Sequence, residues 1–169
     1  MVTQQYEALR ERFGFDDWKG TNRLEQDLEL RDVALPKDLI PGLDAARVRL
    51  IDPGDGTRLL RASWTAPDRP DALLLLDIRE CPSREAAHEV LLELLGNMQT
   101  PEVHRLDDAP GDVAFSYAAA VGLIFARGNV AVSIANGGSE KAPVEPIARK
   151  LDDWIIRSGS ASPQPANSA

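Results

Sequence analysis

The spacing of apolar side chains along the chain predicts its elements. Tyr6, Leu9 and Phe13 stand at i, i+3 and i+7, so Thr3 caps a short helix that docks by this stripe and stops at Gly14. From Leu24 the period drops to two. Leu24, Leu28 and Leu30 share one parity, while Glu25, Asp27, Glu29 and Arg31 hold the other, which predicts an edge strand with a solvated acidic face. Pro36 and Pro41 then break regular structure. Ala46, Val48 and Leu50 alternate before Asp52-Pro53-Gly54-Asp55-Gly56, and Leu60, Ala62 and Trp64 alternate after it, the pattern of a β-hairpin. Beyond Pro67 and Pro70, the run Leu73-Leu74-Leu75-Leu76 within Ala72 to Ile78 is apolar on both parities. Such a run predicts a central strand covered on both faces there, with Asp77 and Arg79 restoring polarity on one parity at its end.

Pro82-Ser83 opens the clearest helix, with Ala87, Val90, Leu91, Leu94, Leu95 and Met98 in one stripe opposite Glu85 and Glu89. A charge at Leu91 or Leu94 is expected to unfold the protein. A short strand over Val103 to Leu106 follows. Val113, Phe115, Tyr117, Ala119, Val121, Leu123 and Phe125 then fall on one parity, as one long bent strand or as two strands broken near Ala119. Arg127-Gly128-Asn129 turns the chain into Val130, Val132 and Ile134, and Asn136-Gly137-Gly138 ends that strand. Pro143 or Pro146 sits in the first turn of a last helix with Val144, Ile147, Ala148, Leu151, Trp154 and Ile155 on its buried face and Gly159 as its cap. The expected fold is α+β, a mostly antiparallel sheet with helices packed on one face, in the order α-ββββ-α-βββ(β)-α. Residues 1–158 form a single domain in this reading, and 159–169 a flexible Pro/Ser/Ala-rich tail. Two groups of strands, each closed by a helix, hint at a duplicated unit, although no residue-level repeat accompanies them.

Composition narrows the function classes. With 43% hydrophobic and 27% charged residues, the 169-residue chain has a globular balance. A net charge of −8 opposes nucleic-acid binding, which draws on Lys and Arg to displace counterions. It favours basic partners or cationic ligands, although acidity also serves plain solubility. Cys81 is the single cysteine, so neither an internal disulfide nor a thiolate metal cage can form, as suits a reducing compartment. The first twenty residues hold no apolar run of signal-peptide type and no stretch reaches the roughly 18 apolar residues of a membrane helix, so no membrane partner is expected. Cytoplasmic residence is the expectation, with an extracytoplasmic one open if an export signal has been removed.

Few residues carry candidate chemistry. Cys81 precedes a helix N-terminus, where the dipole would favour a thiolate, but a lone cysteine at a strand end is more often an apolar filler. His88, with Glu85 and Glu89, lies within about one helical turn and could ligate a metal; the second histidine of an HExxH pattern is replaced by Leu92. His104 with Asp107 and Asp108 could form a general base with an orienting carboxylate, although Asp107 to Asp112 reads first as a turn. Asp52 to Gly56 lacks the further oxygen ligands of a calcium loop, and Asn136 to Ser139 lacks the P-loop lysine. No cofactor or metal is expected.

The segments Gly111-Asp112-Val113-Ala114-Phe115, Ile124 to Val132 around Arg127-Gly128-Asn129, and Ile147-Ala148-Arg149-Lys150-Leu151-Asp152 together resemble a pattern of small uncharacterised bacterial α+β domains. Glu80-Cys81-Pro82-Ser83, followed by Ala87-His88, is similar to the same group. The resemblance spans Asp77 to Ile155 and implies a fold rather than an activity; it brings no catalytic residue, and many members of the group look exported. In element order and acidity the chain also resembles type III secretion chaperones, small dimeric α+β proteins that bind an unfolded effector segment. The leading expectation is therefore a non-enzymatic binding or protein-interaction module for a protein partner or small ligand. A small hydrolase or thiol-dependent enzyme using Cys81 or His104 is the alternative, and a secretion-chaperone-like homodimer paired through an edge strand is a third reading.

Overall fold

A computed structural model describes residues 2–18, 27–40, 42–98, 100 and 102–160. The chain runs through α1 (Val2–Phe13), β1 (Asp44–Ile51), β2 (Arg58–Ala66), β3 (Arg69–Glu80), α2 (Arg84–Asn97), β4 (Val103–Arg105), β5 (Val113–Tyr117), β6 (Gly122–Arg127), β7 (Val130–Asn136) and α3 (Val144–Ser160). The class is α+β, and helices and groups of strands alternate as the sequence pattern predicts. The strands form one seven-stranded sheet in the order β1-β2-β3-β7-β6-β5-β4, with antiparallel pairing between all neighbours. Two meanders thus meet at the β3–β7 pair, and α2 carries the chain from the centre of the sheet to its far edge. No helix among the described residues is long and apolar enough to cross a membrane.

The helices cover both faces rather than one. Leu74, Leu76 and Ile78 of β3, Val130, Val132 and Ile134 of β7, and Leu123 and Phe125 of β6 share a core with Ile147, Leu151 and Ile155 of α3. Val113 and Phe115 of β5 and Ile124 and Ala126 of β6 face the opposite way, into Leu91, Leu92 and Leu95 of α2, Phe13 of α1 and Trp18. The physical reason is that β6 is apolar on both parities and buried along its whole length, so it needs cover on each side. The odd-numbered run from Val113 to Phe125 is two strands, not one. The chain folds back between Tyr117 and Gly122, so Phe115 pairs with Ile124 and Phe125 turns to the other face. The reversal places Ala118, Ala119 and Ala120 in succession at φ 49°, 53° and 64°, a left-handed turn that costs roughly 1–2 kcal/mol per residue outside glycine. Across that hairpin the Tyr117 ring occupies the space where a Cβ on Gly122 would stand, within 2.1 Å of the ring.

The predicted acidic strand is only partly described, since its residues 24–26 lie outside the described residues. Its remainder is not a strand: residues 27–29 are irregular and Leu30–Asp32 is a 3-10 turn. Leu28 and Leu30 are buried as their shared parity predicts. Side chains, however, take the place of a neighbouring strand. The Asn129 amide accepts from Leu28 N at 2.9 Å and donates to Leu28 O at 3.0 Å, and Glu80 accepts from Leu30 N at 2.8 Å. At the other end, α3 continues through Gly159 to Ser160, one residue beyond the predicted cap, and the remaining tail, 161–169, lies outside the described residues.

Ser83 caps α2 by accepting from Ala86 N at 3.1 Å, as Pro82-Ser83 predicts, but its buried face is Ala87, Leu91, Leu92 and Leu95, while Leu94 is only half-buried. The two leucines expected to be equivalent are therefore unequal. Leu91→Asp is expected to remove more than about 4 kcal/mol and leave no cooperative urea transition, whereas Leu94→Asp costs about 1–2 kcal/mol and only shifts the midpoint, as far-UV circular dichroism would read.

Candidate functional site

β5, β6 and the first half of β7 are covered on both sides, but among the described residues β2 and β3 are covered only on the α3 side, and β1 is exposed from Arg47 to Ile51. Their other face begins with the cross-strand row Arg49, Arg61, Asp77 and Ser133, flanked by Arg47, Ser63, Leu75 and Ala135 on one side and by Ile51, Leu59 and Arg79 on the other. A groove of about 480 Å³ lies on this face, lined by Arg47, Arg49, Arg61, Leu75, Asp77 and Ser133 among others. Arg61 holds Asp77 through two bonds of 2.8 and 2.9 Å, and that carboxylate raises the guanidinium pKa further. Arg47, Arg49 and Arg79 are exposed and form no ion pair with a carboxylate among the described residues. The face is thus basic on a chain whose net charge is −8.

It also carries apolar side chains. Of the large hydrophobic side chains exposed among the described residues, Ile51 and Leu75, at 43% each, lie on this face, whereas Val48 at 52% and Leu50 at 43% project from β1 to the other face, beyond the cover of α3. Leu73 to Leu76 read as doubly covered in sequence, yet only Leu74 and Leu76 are buried, and their odd-numbered neighbours look out over the open face. Fully burying one leucine contributes roughly 1.5–3 kcal/mol, so Leu75 leaves a stabilising contribution unrealised in this chain alone.

The residues singled out for chemistry are dispersed. Cys81 directly follows β3, buried, with its thiol 3.8 Å from the Arg79 carbonyl oxygen, and burial pushes its pKa up from 9.0 to about 11, against the pull expected from the helix dipole. His104 lies exposed on β4, separated from β3 by β7, β6 and β5, which at about 4.8 Å per strand puts it roughly 19 Å away. Asp107 is exposed in the turn before β5 and lines a separate groove that also holds Arg105, Asp112, Arg127, Arg149 and Asp152. His88 turns away from a metal-binding role with Glu85 and Glu89: its Nε2 stands 3.4 Å from Asp112 Oδ2 and its ring meets Trp18 edge-on at 5.9 Å. Among the described residues no group of three or more His, Cys, Asp or Glu side chains is placed to hold a metal ion.

An ion cluster at the end of the sheet gathers residues that no local spacing in the sequence singles out. Arg127, at the end of β6, donates to both carboxylate oxygens of Asp152 on α3, Nε to Oδ1 at 2.7 Å and Nη2 to Oδ2 at 2.8 Å. Asp152 Oδ2 also accepts from Gly111 N at 2.9 Å. Asp112, its side chain 1% exposed, accepts from Gly128 N at 3.1 Å, and its Oδ2 lies 3.3 Å from Arg84 Nε on α2. Its other oxygen has no hydrogen bond and stands 3.7 Å from Arg127. These are the polar members of the Gly-Asp, Arg-Gly-Asn and Leu-Asp segments that carry the resemblance. The available signal was that charges recur at the ends of otherwise apolar strands. Apart from Asp112 Oδ1, the carboxylate oxygens of the cluster are bonded within the chain, and the cluster joins α2 to α3. Asn136 is similarly committed, to Val121 O and to both backbone groups of Ala142, so the Asn136-Gly137-Gly138 segment is a packed corner.

No family model, curated protein or solved structure matches the chain. The site therefore rests on its own geometry.

Removing Arg127 strands two buried carboxylates, so Arg127→Leu is expected to cost about 3–5 kcal/mol in urea denaturation, while Arg127→Lys recovers part of it. Burial that holds the Cys81 thiol protonated also shields it, so iodoacetamide at pH 8 is expected to leave the folded protein unmodified by mass and to alkylate it rapidly in urea.

Proposed function

We propose that the protein is a non-enzymatic interaction module that receives an acidic segment of a partner protein on the open face of β1 to β3. One observation carries this reading: Arg47, Arg49 and Arg79 stand unpaired with carboxylates among the described residues, next to exposed Leu75, on the only half of the sheet that the described helices leave bare. Net acidity suggests a basic partner, but charges beyond about 8–10 Å are screened at physiological salt, so the local field of the face decides what it attracts. That field is positive. An acidic surface bearing a few apolar residues would neutralise the arginines and bury Leu75 together. The reading of a thiol-dependent enzyme draws no support from a buried Cys81 with a raised pKa and a distant His104.

The test is affinity capture from lysate of the source organism with the wild-type protein and with the double variant Arg47→Glu/Arg79→Glu, both confirmed as folded by thermal melting. The expected result is an acidic protein retained near one-to-one by the wild type, released by about 0.5 M salt and lost with the charge reversal. Equal retention by both baits, or a basic protein as the captured partner, would sink the proposal.

A further inference from the structure

We infer that the partner segment binds as an added strand on the free edge of β1, extended, with acidic side chains at alternate positions and apolar ones between them. This rests on the open face being the receptor surface and specifies its occupant. Among the described residues β1 ends the sheet: it pairs there with β2 alone, and its residues Arg47 to Ile51 are exposed. One row of its N–H and C=O groups therefore points outward, the template on which strand addition is built. The opposite edge, β4, has only three residues and offers far less ladder.

The side chains of β1 write the sequence of the incoming strand. Arg47 and Arg49 point to the open face, while Val48 and Leu50 point to the face that α3 covers further in, and stand exposed beside that core. Neighbouring strands place their side chains on the same two faces in register. Residues that fall opposite Arg47 and Arg49 thus meet guanidinium groups and favour Asp or Glu. Those opposite Val48 and Leu50 extend the core and favour Val, Ile or Leu.

A second copy of the chain fits poorly. Two β1 strands related by a two-fold axis normal to the sheet keep the same faces, so a register centred on Val48 sets each Arg47 against Arg49 of the other copy. The adjacent registers set Arg47 or Arg49 against itself. Like charges directly opposite destabilise a strand pair, and charged edge residues are a common guard against self-association. The same two arginines close the edge to its own kind and open it to an acidic strand.

The probe is a synthetic peptide of about eight residues alternating valine and glutamate, the length of β1, capped at both ends. Two isomers carry N-methyl groups on alternate amides, one blocking each edge of the peptide. Binding is read by fluorescence anisotropy and by hydrogen exchange of residues 47–51. The unmodified peptide is expected to bind and protect β1. One N-methyl isomer should lose at least about tenfold in affinity and the other far less, and the folded double variant Arg47→Glu/Arg49→Glu should also lose at least about tenfold. In sedimentation the wild type is expected to be a monomer, whereas Arg49→Glu alone, which sets a carboxylate opposite Arg47 of a second copy, dimerises. Equal binding of both isomers with the arginine dependence intact overturns strand addition but leaves the receptor face. Binding indifferent to the arginines overturns both. Absence of binding up to about 1 mM, or a wild-type dimer, overturns the strand-addition inference alone, because capture of an acidic partner tests the face independently.

Discussion

The guanidinium of Arg127 is the point on which the layers of this protein depend. It reaches Asp152 on α3 with a two-pronged bond and lies beside Asp112, which in turn contacts Arg84 and His88 on α2. Because α2 and α3 lie on opposite faces, the cluster ties them together around the end of the sheet rather than through it. Buried charges of this kind add little net stability over an apolar core, yet they are costly to separate. They fix relative position: α3 cannot slide along its face without pulling Asp152 away from both Arg127 and the Gly111 amide.

The same turn reaches further. Gly128 adopts φ 53°, which brings its N–H to Asp112, and Asn129 is thereby presented to Leu28 and to the Cys81 carbonyl. The β6–β7 turn thus organises both helical layers and the segment before β1. The bare half of the sheet lies away from that turn, on β1 to β3.

Much of the fold was legible in the chain. The hairpin on either side of Asp52 to Gly56 follows its alternation and turn chemistry, with Gly54 N and Thr57 N bonded to Asp52 and Asp55 as such turns require. α2 and α3 follow the 3.6-residue period. Three features were not legible, each for a physical reason. Periodicity reports burial but not what does the burying, so Leu28 and Leu30 read as strand residues although side chains hold their backbone. A strand apolar on both parities looks the same whether its cover is a helix of the same chain or another molecule, and so Leu75 read as core. Ion partners far apart in sequence, such as Arg127 and Asp152, leave no local spacing to detect. Cys81, His88, His104 and Asp107 stand out in the sequence by chemical type; the open face is a property of placement, set by the absence of a described helix over one side of β1 to β3.

The grip on the segment around Leu28 has an implication for its evolution and its motion. Asn129 and Glu80 bond there to main-chain N–H and C=O groups, which every residue except proline supplies alike. The outward positions Asp27 and Glu29 are therefore free to drift in identity, while Asn129 is not. Since that one amide also holds the Cys81 carbonyl, the segment and the end of β3 share a fastening and would open as a single cooperative unit, not as independent fraying ends.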